Sequence, residues 1–168
     1  MKPIQLLSLL GASLFVLACS SSKEIKTPEP PKHYPHGHFT YQQFADSSGW
    51  KQWIDTGYEI NPGDLDILKM NLRPYTIKMY AGVWCGDSKD QVPRFFHILD
   101  EAGYPKEDIE YILVNRDRAA WKTLAGADSI KKVPTFILMK NGKETGRITE
   151  TPKVKLETDL VEIILNDR

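Results

Sequence analysis

Cysteine is almost missing from this chain, and charge of either sign is missing as a surplus. Two of the 168 residues are cysteine, Cys19 and Cys85. No second cysteine follows Cys85 at short range, where Ser88 stands instead. That gap excludes a disulfide closed within one local site. Lys plus Arg total 22, matched by 22 Asp plus Glu. The balance gives no basic excess for nucleic acid and no acidic tail for a charged partner. There is no internal repeat. The apolar run over residues 4–17 is shorter than the roughly 20 residues of a membrane-spanning helix. What is present is enough chain for one domain with a core, plus tails.

The first 20 residues differ from the rest. Lys2 supplies a positive start, an apolar stretch follows, and the run ends V-L-A-C-S at residues 16–20. A basic start, an apolar middle and small residues before a cut describe a secretory signal peptide. The V-L-A-C stretch resembles the lipobox of bacterial lipoproteins, with Val16 where leucine is usual. The resemblance implies that residues 1–18 are removed and that Cys19 carries the lipid. It places the protein in the bacterial cell envelope, lipid-anchored. Ser20 favours the outer membrane, facing the periplasm, in a Gram-negative cell. Residues 19–38, rich in proline, serine and charge, read as a flexible linker. With Cys19 committed, Cys85 is the one free thiol, in a compartment where thiols are readily oxidised.

The folded domain is expected over residues 39–168. Thr40 is placed to cap a helix carrying Tyr41 and Phe44, which either runs on to Trp50 and Trp53 or is interrupted at Ser47-Ser48-Gly49. Asn61-Pro62 reads as a helix cap with proline at the first helical position. Leu65, Leu68 and Leu72 continue that helix. Residues 75–81 alternate as a strand with Ile77, Met79 and Ala81 on one face. Val92, Phe95, Phe96, Leu99 and Ala102 follow helical spacing, and Gly103 stops the helix. Residues 111–114 (Y-I-L-V) suit a strand buried on both faces. A helix is expected near 119–125. Residues 135–140 and 143–148 form a hairpin about Asn141-Gly142, and Leu156, Leu160, Ile163 and Ile164 mark a last helix. The fold class is therefore α/β, a mixed sheet flanked by helices.

Residues 83–89 read V-W-C-G-D-S-K and lie between the first long strand and the next helix. A sulfur at a helix N-terminus meets unpaired N–H groups and the positive end of the helix dipole, which favour thiolate, the nucleophilic form. Lys89 adds to that effect and Asp87 opposes it. His33, His36 and His38 form H-x-x-H-x-H, a spacing open to metal binding, but with no thiol or carboxylate to complete it. A solvated linker is the simpler reading, and no metal is assigned. His97 lies too far along its helix to serve Cys85 as a base and reads as a surface residue.

Trp84-Cys85-Gly86 after a strand, Pro93 eight residues beyond Cys85, Val133-Pro134-Thr135, and Lys140-Asn141-Gly142-Lys143 occur in an order that resembles the thioredoxin family, over residues 70–167. The resemblance implies a thioredoxin-like mixed sheet flanked by helices. It also implies a cis bond before Pro134, whose neighbouring backbone pairs with a bound substrate chain. Cys85 is then the reacting thiol and Ser88 a hydrogen-bond partner of its thiolate. Trp84, Val133, Pro134 and Thr135 line the substrate site. Two departures stand out. Ser88 replaces the second, resolving cysteine, and Met79 stands where thioredoxins carry a buried acid.

A hydroxyl cannot attack a mixed disulfide, so dithiol reduction within the site is not available. Two functions remain open. One is a monothiol thiol–disulfide oxidoreductase or isomerase acting through Cys85 on protein or small-molecule thiols and disulfides. The other is a non-catalytic module that keeps the peptide groove. Neither requires a cofactor, and the membrane is reached through the N-terminal lipid.

Overall fold

The computed structural model describes residues 33–49 and 57–167. The expectations at residues 1–32, including the signal peptide and Cys19, and those at Trp50 and Trp53 lie outside the described residues. Among the described residues no helix is long and apolar enough to cross a membrane.

Five strands make one sheet in the order β1-β3-β2-β4-β5. They are β1 (Gly37–Phe39), β2 (Thr76–Ala81), β3 (Ile109–Leu113), β4 (Thr135–Lys140) and β5 (Lys143–Thr149). The helices are α1 (Tyr41–Ser47), α2 (Pro62–Asn71), α3 (Gly86–Glu101), α4 (Arg118–Ala125) and α5 (Leu156–Asn166). Strands β2 and β3 run parallel, with Met79 opposite Tyr111. Strand β4 is antiparallel to β2 and to β5. The sheet is thus mixed, with helices over its faces, as the α/β reading requires.

The sequence signals for the elements act where expected. Thr40 and Gln43 form a reciprocal capping box at α1, and the Asn61 side chain accepts from Asp64 N–H at the start of α2. At the hairpin, Asn141 and Gly142 have φ of 52° and 75°, the left-handed pair that a tight two-residue connection needs.

The stretch read as linker ends two residues early. Gly37 and His38 belong to β1, where Gly37 faces Leu113 and Phe39 faces Tyr111. A three-residue strand with one large apolar side chain shows no alternation to read. Its pairing partner lies some seventy residues away in sequence, so only the assembled sheet reveals it. His38 in this strand sits 3.2 Å from Glu110. Among the described residues no group of three or more His, Cys, Asp or Glu side chains is placed to hold a metal.

One face of the sheet carries α1, α2, α3 and α5 over Ile77, Met79, Tyr111, Phe136 and Leu138. Phe95 of α3 stacks on Phe136 at 4.0 Å between ring centroids. The other face carries α4 over Tyr80, Ile112, Val114 and Ile137. An acid also fastens the first of these layers. Glu157 of α5 is fully buried, and it accepts from Tyr58 O–H at 2.5 Å and from Asn61 N–H at 2.9 Å. Burial and the neighbouring carboxylate push the Tyr58 phenol up, so it stays a donor.

Candidate functional site

Chain order locates a crevice at one end of the sheet. From β2 the chain passes through α3 to β3 on one side, then through α4 to β4 on the other. Open α/β sheets leave room for ligands at such a reversal, beyond the strand ends. Because β4 is antiparallel to β2, its first residue Thr135 faces Tyr80, near the end of β2. The loop before β4 therefore meets the turn after β2.

That turn is built on glycine. A Cβ on Gly82 would stand 2.9 Å from the Trp84 ring, so only glycine lets the indole fold back on the backbone. Trp84 Nε1–H donates to Val114 O at 2.8 Å, tying the turn to the end of β3. The Trp84 ring lies 6.1 Å from that of Trp121 in α4. Cys85 N–H closes the turn on Gly82 O at 2.9 Å. Cys85 is then the N-cap residue of α3, and its side chain makes no capping bond.

The sulfur points across the crevice instead. Cys85 Sγ is half-buried and donates to Val133 O at 3.2 Å. The next peptide bond, Val133–Pro134, is cis, as the family resemblance implied. Val133, Pro134 and Thr135 are all buried. Pro134 O accepts from Glu150 N–H at 2.7 Å, Thr135 Oγ1–H donates to Lys132 O at 2.8 Å, and Lys132 pairs with Glu150. The Thr135 hydroxyl thus holds its own loop, leaving the backbone beside the proline to face the sulfur.

Ser88 has a backbone partner as well. It has no exposed surface, and its Oγ accepts from Gly82 N–H at 3.1 Å. Gly82 is buried and its N–H needs an acceptor; accepting from it uses a lone pair of the Ser88 oxygen and not the hydroxyl proton. Sequence places Ser88 within a helical turn of Cys85 and does not show that its oxygen also satisfies a buried backbone donor. Met79, in the strand below, is completely buried. Asp87 and Lys89 are exposed on the first turn of α3.

Two features of the site had no sequence signal. Arg116, in the connection after β3, stacks its guanidinium 5.0 Å from the Trp84 ring and 5.7 Å from that of Tyr34. A cation therefore lies over the residue next to the sulfur. The second is a polar anchor under the loop that leads to Val133. Asp128 accepts from Tyr80 O–H at 2.5 Å and from Lys78 Nζ at 2.9 Å, and its carbonyl accepts from Arg147 at 2.9 Å. Burial opposes its charge, but the Tyr80 hydroxyl and the Lys78 ammonium override it and hold the Asp128 carboxyl below the usual carboxylate range. Burial, reinforced by Asp128, pushes the Tyr80 phenol up. Strands β2 and β5 thereby pin the loop that sets Val133 O under Cys85 Sγ.

Chemically, the arrangement presents a partly accessible sulfur at a helix start, facing backbone rather than a second sulfur. Residues 65–164 match the family model described as Thioredoxin. Thioredoxin from Oryctolagus cuniculus is 31% identical over 85 residues, covering 51% of this chain and 75% of that protein. The chloroplastic thioredoxin Y2 of Arabidopsis thaliana is 36% identical over 78 residues, 46% of this chain. The match spans only 43% of that relative's length. Among solved structures, a Pseudomonas aeruginosa protein of unknown function superposes with a TM-score of 0.55 at 14% identity, covering 77% of this chain and 99% of its own. That likeness concerns the fold.

Proposed function

Since the chain belongs to the thioredoxin family, we propose that it carries out thiol–disulfide exchange with one thiol, Cys85. The observation that carries this reading is the half-buried Cys85 Sγ lying 3.2 Å from Val133 O, beside the cis Val133–Pro134 bond. A substrate segment laid along that backbone brings its disulfide to the sulfur.

The thiolate of Cys85 attacks one sulfur of a substrate disulfide. A new S–S bond forms to Cys85, the substrate S–S bond breaks, and the second substrate sulfur leaves as thiolate. Ser88 cannot complete the cycle, because its oxygen forms no disulfide. A second substrate thiol, or a small external thiol, attacks the mixed disulfide and returns Cys85 as thiolate. With a substrate thiol the net result is isomerisation. With one external thiol the substrate is left bonded to that thiol, and a second external thiol completes its reduction, the two leaving as their own disulfide. Where the substrate disulfide is a small-thiol cap, Cys85 bonds to the cap sulfur and one external thiol removes it as the small disulfide. Trp84 and Pro134 shape the cleft, the backbone of Val133 pairs with the substrate chain, and Thr135 holds the loop at the start of β4. The same proposal places residues 1–18 as a signal peptide and Cys19 as the lipidated residue. It places the domain on a tether in the bacterial envelope, facing the periplasm in a Gram-negative cell.

The test is trapping. The protein incubated with glutathione disulfide should hold a mixed disulfide on Cys85 that persists until an external thiol is added. Ser88→Cys should release that adduct unaided and gain insulin-reducing activity that the native chain lacks. A second reading, a peptide-binding module without chemistry, draws on Ser88 and on the hydrogen bond that already occupies the sulfur. Failure to trap any adduct, together with an inactive Ser88→Cys variant, would select it.

A further inference from the structure

On the α4 side of the sheet, beside the loop that leads to Val133, lies a cleft of about 420 Å³. Its apolar lining comes from Trp121, Ala125 and Ile130, and its cationic lining from Arg118, Lys122 and Lys131. We propose that this cleft is a docking site for a polypeptide segment that presents a large apolar side chain flanked by carboxylates. The proposal deepens the reading of Cys85 as a site for protein disulfides. It rests on that reading only for identifying the segment as part of the substrate chain.

Charge complementarity carries the argument. Several cations elsewhere on the described surface are paired with acids. Arg73, Lys78, Lys106, Lys132 and Lys140 each hold a carboxylate. Among the described residues, Arg118, Lys122 and Lys131 have no ion pair with one. Of the acids near them in sequence, Asp117 caps α4 by accepting from Ala119 N–H, and Asp128 pairs with Lys78 and accepts from Tyr80. Three positive charges around an apolar pocket thus stand without an ion pair among the described residues, which favours an acidic visitor.

The geometry is also fixed in advance. Arg118 lies flat on Trp121, its guanidinium carbon 4.0 Å from the ring centroid, and it donates to Lys131 O. This holds one charged wall without folding cost at binding. The volume falls within the range of small ligand sites and suits a large side chain. Lys131 is two residues from Val133, at most about 7 Å along the chain. A segment whose sulfur reaches Cys85 therefore has neighbouring residues within reach of the cleft.

The experiment uses a labelled, thiol-free peptide with phenylalanine between pairs of glutamates, against the same peptide carrying lysines, followed by fluorescence anisotropy at low salt. The acidic peptide should bind roughly tenfold tighter, a preference that added salt weakens. Lys122→Gln combined with Lys131→Gln should reduce the preference to about twofold or less, and arginine at both positions should restore it. Equal binding of the two peptides, or a preference that survives the glutamine pair, would overturn the proposal. No reaction at Cys85 is needed for this readout. Failure of adduct trapping with an intact acidic preference would sink the exchange chemistry and leave the cleft, whereas the reverse result would remove the cleft alone.

Discussion

The face of the sheet under α1, α2, α3 and α5 is closed mainly by hydrocarbon, while the face under α4 is closed in part by charge. Neighbouring residues of β4 show the contrast. Phe136 stacks on Phe95 within the larger cluster, and Ile137 joins Tyr80, whose hydroxyl is held by Asp128. The first face draws most of its stability from buried hydrocarbon, which does not depend on protonation, alongside Glu157, an acid that also fastens it. The second supports the loop that presents Val133 O to the sulfur, and it is held by an ionised carboxylate. Stability and site geometry are thus assigned to different layers of one small domain.

The contrast breaks most sharply at Phe95. It is completely buried, and Phe95→Ala should cost about 3–5 kcal/mol through lost burial and the cavity left behind. Urea unfolding would show this as a lowered midpoint, with the deficit similar at pH 7 and at acid pH.

Asp128→Asn should give a smaller loss with a different signature, about 1–2 kcal/mol at neutral pH. Its carboxyl is depressed in the folded state. The stabilisation is therefore fully present above the ordinary carboxylate value of about 3.9 and is lost as pH falls through the lower folded value. Urea midpoints of native and variant protein should converge in that acid range. A gap that stays constant down to low pH would mean that the Asp128 side chain acts by shape and not by charge.

The smallest effect sharpens the boundary between the faces, at the turn they share. Ser88→Ala removes the acceptor of the buried Gly82 N–H and should cost about 1 kcal/mol. Hydrogen exchange of the Gly82 amide would report it, accelerating in the variant. Unchanged protection would show that another acceptor takes over.

The first face was largely legible from sequence, because its elements announce themselves locally. The apolar spacing of α3, the Asn61-Pro62 start of α2, the Thr40 box and the Asn141-Gly142 turn are all read within a few residues. The second face was legible only in outline. Its helix α4 and the cis Val133–Pro134 bond were expected, but the Asp128 anchor joins positions 78, 80, 128 and 147, a grouping that no periodicity marks. Arg116 over Trp84 and the pairing of β1 with β3 are long-range in the same way.

By itself the sequence determined that one thiol stands at the start of a helix, with serine where a second would serve. It also determined that a mixed sheet with a final hairpin surrounds that thiol, since helix starts, turns and strand faces are set by neighbouring residues. Only the tertiary structure decided where the polar groups turn. Ser88 serves Gly82, the sulfur faces Val133 O, and Asp128 holds the loop between them and the sheet. Buried donors and acceptors must find partners, and which ones meet depends on strands and loops far apart in the chain.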